Sequence, residues 1–284
     1  MNVRTNAVQL GMRRGWIEFK QSMRSAQDWG FNAFMVGAVL GYLFLRRNSE
    51  VEGTDLMVPA VSMPSILGAL IAFGVVIGPA YSLAMQREDG TLLRLKAIPN
   101  GLSGYVIGQL VLPGLGLFVQ VALIVVPSFI LFDDVMSNGA TGWAMLAGFT
   151  ILGLLATLPI GIVIGALVPN MQKVGTWGMM PIMILAGISG IFYPIQALWG
   201  WVQVVAQLFP MYWMGLGLRS AFLPDEAAAL EITESWRTLE TLLVLGGWAA
   251  VGIAVTPMVL RRMARRTSGS QVEAAREQAL QWIR

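Results

Sequence analysis

Residues 86–101, QREDGTLLRLKAIPNG, form a short charged island between two long apolar segments. Upstream, residues 56–86 run 31 positions without a charge, and downstream 97–132 run 36 more. Each segment exceeds the roughly 20 residues that a helix needs to cross about 30 Å of hydrocarbon. The island is therefore a water-exposed connector between two membrane spans. Inside it, Asp89 and Gly90 break the incoming helix, residues 91–98 suffice for two helical turns, and Pro99, Asn100 and Gly101 end them. A connector that only reverses the chain needs a few polar residues. This one adds a short helix with leucines at 92, 93 and 95, so it is suited to receiving force from outside the membrane.

Composition sets the class. Of 284 residues 56% are hydrophobic and only 12% charged, far from the balance of a soluble domain, so the chain is an integral membrane protein. Cysteine and histidine are absent, which excludes disulfides, Cys/His metal sites, thiol nucleophiles and His-dependent triads. No GxxxxGK[ST] sequence occurs, so the chain has no P-loop for ATP. None of the spans placed below contains Asp, Glu, Lys or Arg, which disfavours ion coupling. The partners expected from this pattern are membrane lipids and other protein, with no nucleic acid.

Taken in order, residues 1–28 carry Arg4, Arg13, Arg14, Lys20 and Arg24 against Glu18 and Asp28 and belong on the cytoplasmic side. Met12, Trp16, Phe19, Met23 and Ala26 recur at helical spacing, which predicts an amphipathic helix in the headgroup layer. Spans are expected over 29–45, 60–85, 104–131, 144–168, 175–193 and 241–260, within a membrane domain covering 29–262. A mixed-charge cytoplasmic tail follows at 263–284, with a helix expected after Ser270.

Residues 174–218 are 45 positions without a charge, long enough for two spans. A second crossing there would put the acidic loop bearing Asp225, Glu226, Glu231, Glu234 and Glu240 inside and Arg261, Arg262, Arg265 and Arg266 outside, against the positive-inside rule. Pro194, Pro210, Gly215 and Gly217 also interrupt any single helix. We therefore expect a re-entrant hairpin over 194–220 on the extracytoplasmic side, packed against protein because lipid cannot satisfy broken backbone. Both termini then lie inside. Cytoplasmic segments carry 15 basic and 6 acidic residues and outer segments 4 and 10, giving +9 and −6, which together make the overall +3.

Two stretches resemble the membrane subunits of ABC-2 type ATP-binding-cassette exporters. Between the second and third spans, Glu88, Gly90, Thr91, Leu92, Leu95 and Pro99 follow that family's order of an acid, Gly-Thr, a leucine-rich turn and a Pro. After the fifth span, Pro194, Pro210, Tyr212, Gly217, Leu218 and Arg219 match its re-entrant segment. The resemblance covers residues 10–262. It implies that 86–101 is a coupling helix resting on a cytoplasmic ABC ATPase, with Mg-ATP on that partner and no cofactor here. It also implies pairing with a second copy or a related permease subunit. An aromatic belt of Trp199, Trp201, Tyr212 and Trp213 at the outer interface is a compatible reading of the second stretch.

In that family the second and fifth spans of two subunits face each other across the path, so Phe73, Tyr81, Met179, Met180, Met183 and Phe192 are candidate lining residues. Ordinary span packing accounts for any one of them equally well. GxxxG pairs at Gly37/Gly41, Gly74/Gly78, Gly104/Gly108 and Gly161/Gly165 allow close helix approach, and prolines in five spans allow kinks. The expectation is an all-α, six-span permease in the cell membrane that exports a hydrophobic or amphipathic substrate, such as a drug or lipid. It would not itself be an enzyme. The alternative is a passive channel or membrane assembly factor, which a neighbouring P-loop ATPase gene would disfavour.

Overall fold

The computed structural model describes residues 3–51, 56–97, 101–132, 135–168, 170–191 and 195–266. Pro99, Phe192, Pro194 and the helix expected after Ser270 lie outside them. The described chain is helical: α1 Val3–Ser22, α2 Ala26–Leu45, α3 Val58–Glu88, α4 Thr91–Ala97, α5 Gly101–Leu131 and α6 Gly139–Leu167. There follow α7 Met171–Lys173, a π-helical turn Val174–Gly178, α8 Met179–Gly187, α9 Gly200–Gln207, α10 Pro210–Phe222 and α11 Thr238–Arg266.

Among the described residues, α2, α3, α5, α6 and α11 are long and apolar enough to cross a membrane. The fifth span expected over 175–193 is not a helix of that kind. Its place is taken by the three-residue α7, the five-residue π turn and the nine-residue α8. Pro181 lies in α8, and a ring there removes a backbone donor beside the widened turn.

The core is built where α3 and α6 meet and α10 lies over both. Every one of the 13 residues of α10 is buried, which explains why its sequence is almost entirely apolar, with Arg219 its one charge. Tyr212 and Trp213 are inside the protein with it, so they are not headgroup anchors; Trp199 and Trp201 are exposed and stacked at 6.2 Å. A turn at Leu208 and Phe209 joins α9 to α10. Its tip is fixed by the Trp248 indole, which donates to Leu208 O at 3.1 Å. Trp248 is about 15 Å along α11 from Thr238 at 1.5 Å per residue. The other end of α10 meets the head of α6, where Asn138 Nδ2 donates to Ser220 O at 2.9 Å and Leu223 O at 3.0 Å.

The glycine pairs divide sharply. A Cβ at Gly165 would stand 2.7 Å from Ala80 O, so the Gly161/Gly165 pair lets α6 sit directly on α3. Gly104/Gly108 serve α1 instead: Cβ atoms at Gly11 and Gly15 would stand 2.5 Å from Gly104 O and 2.8 Å from Gly108 O. The first helix thus docks on α5 through its own GxxxG, and the Met12 and Trp16 side is the face left exposed. Gly37/Gly41 and Gly74/Gly78 have nothing near.

Candidate coupling site and membrane path

Gly90 at φ 77° reverses the chain at the end of α3, in a region that side chains with a Cβ rarely adopt. Asp89 Oδ1 then accepts the Thr91 N–H at 2.8 Å, which satisfies a donor at the start of α4. Helix α4 lies across the ends of α3, α5 and α11. Its apolar face points into the bundle: Leu92 is 2% exposed and joins the main core with Leu260 and Met263, and Leu95 packs against that core. The coupling sequence is a helix as expected, but Leu92 is not free to enter a groove on another protein. Among the described side chains of α4, Arg94 and Ala97 are exposed, with exposed Asp89 beside them.

Glu88 is committed within the chain as well. Its Oε1 accepts the Met171 N–H at 2.8 Å, across 83 residues. Next to it, Arg87 Nη1 donates to Val168 O at 3.3 Å, the C-cap of α6. These two bonds tie the elbow between α3 and α4 to the connector that leads into α7 and α8. Backbone groups at helix ends have no partner within the helix, so such bonds are the ones available to hold a short connector. A third tie runs to α1. Arg14 pairs with Glu18 at 2.7 Å, donates to Gln86 Oε1 at 3.3 Å and lies over the Tyr105 ring at 5.5 Å. Helix α4 itself rests on α3, α5 and α11, while the end of α3 beside it is tied to the α6–α7 connector and to α1.

At the opposite end of the bundle, Arg219 of α10 forms a buried pair with Glu231 at 2.5 Å and also donates to Gly190 O at 3.3 Å. Sequence reasoning identified Arg219 but not Glu231. The signal available was a lone arginine after 45 uncharged residues, yet five acids follow within 21 positions and spacing does not choose among them. Pro210 opens α10 as its first residue, and Gly217 lies against the Phe149 ring, where a Cβ would stand 2.8 Å away.

The path residues named from sequence are distributed unevenly. Tyr81 meets the π turn, its hydroxyl 2.5 Å from where a Cβ on Gly175 would be. Met180 and Met183 are each 60% exposed beside Trp177 at 74%. Met179 and Phe73 are half-buried, and Phe73 packs on the core. Together with the uncovered Gly74 and Gly78, the apolar side chains of α8 make an open surface on this face of the chain.

A search of curated proteins finds no match. The family profile described as ABC-2 type transporter matches residues 6–223, from α1 to the residue after α10, including both stretches singled out above. Transmembrane transport subunits of this kind are not catalytic, and they work with ATPase subunits. With 218 of 284 residues inside the match, the chain is a multi-pass membrane protein that belongs to the ABC-2 type transporter family.

Proposed function

We propose that the chain is the permease of an exporter for hydrophobic or amphipathic molecules, driven by Mg-ATP hydrolysis on a separate cytoplasmic ATPase. The observation that supports this reading is the pair of ties from Arg87 and Glu88, at the end of α3 next to α4, to the end of α6 and the start of α7. Force applied at Arg94 and Asp89 reaches α3 and α8, the helices that bear the open apolar face. That face is the proposed path, completed by a second copy or a related permease, with Tyr81, Met180 and Met183 along it. Methionine adapts in shape, which suits varied apolar cargo.

The topology in this reading has six crossings. Basic residues near both ends of the chain favour an even number by the positive-inside rule, and 17 residues from Met171 to Gly187 extend about 25 Å as helix. Helices α9 and α10, about 12 and 20 Å long, then form the re-entrant hairpin, and both termini are cytoplasmic. The test is co-reconstitution with a candidate ABC ATPase subunit, measuring export of a fluorescent amphiphile and ATP turnover together. Export that depends on ATP and on both proteins supports the reading, and ATP-independent leakage through this chain alone refutes it.

A further inference from the structure

Away from α3 and α8, a groove of about 320 Å³ runs between α5, α6 and α11, three of the helices able to cross a membrane. Val106 and Leu110 of α5, Leu155 and Pro159 of α6, and Ile253 and Leu260 of α11 line it. Helix α11 packs closely on α6 but touches α5 little, which leaves the space between α5 and α11 unfilled. Just beyond the groove along α11, Gly252 rests on the Pro159 ring, with which a Cβ would collide. The last residue of α11 in the lining, in the other direction, is Arg261. From Ile253 to Arg261 the helix rises about 12 Å, close to half of a hydrocarbon core of about 30 Å. The groove therefore has the depth of one leaflet, at the end of the bundle that bears α4.

Of the 12 lining side chains only Thr256 and Arg261 are polar, and the Thr256 hydroxyl is sealed from solvent. Such a wall takes hydrocarbon. Arg261 is exposed and has no hydrogen bond or ion pair with any described residue; Arg262 and Arg265, also exposed, follow it. Described acids at this end are engaged elsewhere: Glu18 with Arg14, Glu88 with the Met171 N–H and Asp89 with the Thr91 N–H. Residues 261–284 carry six arginines against Glu273 and Glu277, so this end of the chain is cationic however its tail is placed. A free guanidinium at the mouth of a hydrocarbon groove fits a phosphate that carries an acyl chain. We propose that the groove holds an acyl chain of an anionic phospholipid drawn from the surrounding leaflet, with the lipid phosphate on Arg261. This lipid is a resident of the fold rather than cargo, since no residue of α3 or α8 lines its site. The site lies within one chain and does not depend on the export reading.

The probe is phosphatidylglycerol with a photoactivatable acyl chain, held at a small fixed fraction in phosphatidylcholine nanodiscs that contain the full chain. Phosphatidylcholine with the same acyl chain is the comparison, and adducts are mapped by peptide mass spectrometry. One basic residue at a membrane surface favours an anionic lipid about five-fold, so phosphatidylglycerol should label Leu155 and Ile253 about five-fold more often. Unlabelled phosphatidylglycerol should compete this labelling away, and soluble glycerol phosphate should not. Arg261→Gln should lower it to the phosphatidylcholine level, whereas Arg265→Gln, an exposed neighbour, should change it little. Leu155→Trp fills the groove and should abolish labelling of Ile253 by either lipid. Should Leu155→Trp fail to fold, Arg261→Gln still decides, because it alters an exposed side chain. Equal labelling by the two lipids, or equal losses in Arg261→Gln and Arg265→Gln, overturns the proposal. So does an unlabelled groove, the result if the tail or a second copy covers it. Displacement by glycerol phosphate alone overturns the membrane as source. No ATPase is needed, so failure here leaves export untouched, and failure of export leaves this site untouched.

Discussion

Replacing Glu231 with alanine strands a guanidinium inside the protein. Arg219 and Glu231 side chains are 6% and 5% exposed and meet at 2.5 Å. After Glu231→Ala, Arg219 retains only Gly190 O at 3.3 Å and Ser65 Oγ at 3.5 Å, both long for charge-assisted bonds. Removing one partner of a buried pair costs about 3–5 kcal/mol, because the other charge stays buried and uncompensated. Replacing both with apolar residues, Arg219→Met with Glu231→Leu, returns stability to within about 1–2 kcal/mol of the parent, since the desolvation of both charges is relieved. The assay is reversible unfolding in mixed micelles of the parent, both single variants and the double, read as a double-mutant cycle. Glu226→Ala, at an exposed acid in the same segment, is the control and should change stability by about 0.5 kcal/mol or less. A Glu231→Ala cost no larger than that control would mean that the pair is solvated and the hairpin end is not packed as described.

Other outcomes follow from the same contacts. Glu88→Ala removes the acceptor for the Met171 N–H, which at this exposed position should cost about 0.5–1.5 kcal/mol; export should fall while ATP turnover persists, and Glu88→Gln should restore much of the coupling. Co-reconstituted vesicles give both rates, and normal export in Glu88→Ala would discard the tie as a mechanical link. Gly15→Val should detach α1, because its Cβ would stand 2.6 Å from Val111 Cβ; protease cleavage after Arg13 or Lys20 should then quicken in membranes, whereas unchanged cleavage counts against the docking. For topology, single cysteines at Ser235 and Ala97 can be introduced directly, as the chain has none. An impermeant thiol reagent on intact cells should label Ser235→Cys and spare Ala97→Cys, and the reverse pattern would invert the arrangement.

Hydropathy was enough to find α2, α3, α5, α6 and α11, because a bilayer demands length and polarity that no other context does. The ends of α4 were legible from Gly90 and from the polar residues around it. Which way α4 faces was not, since leucines at 92, 93 and 95 fit an external groove as well as an internal one, and only the ends of α5 and α11 decide it. Glu88 was singled out for a contact with another protein. Within the chain its Oε1 accepts a backbone amide 83 residues away, and backbone donors leave no mark in a sequence. The first helix shows the same limit: its docking glycines, Gly11 and Gly15, were not among the pairs singled out, because the apolar stripe of Met12 and Trp16 drew the prediction to the exposed face. The acid that pairs with Arg219 could be chosen only in three dimensions.

The central claim is that α4 is where an ATPase pushes, and a photo-crosslinking residue at Arg94 tests it most directly. Arg94 is exposed on the outward side of α4, whereas Glu50 is exposed at the opposite end of the bundle and serves as the comparison. After irradiation of intact cells, the account predicts an adduct between the position-94 probe and a protein bearing a P-loop, and none from position 50. An adduct of that protein with position 50, or its absence at position 94 in cells that export the substrate, would contradict it.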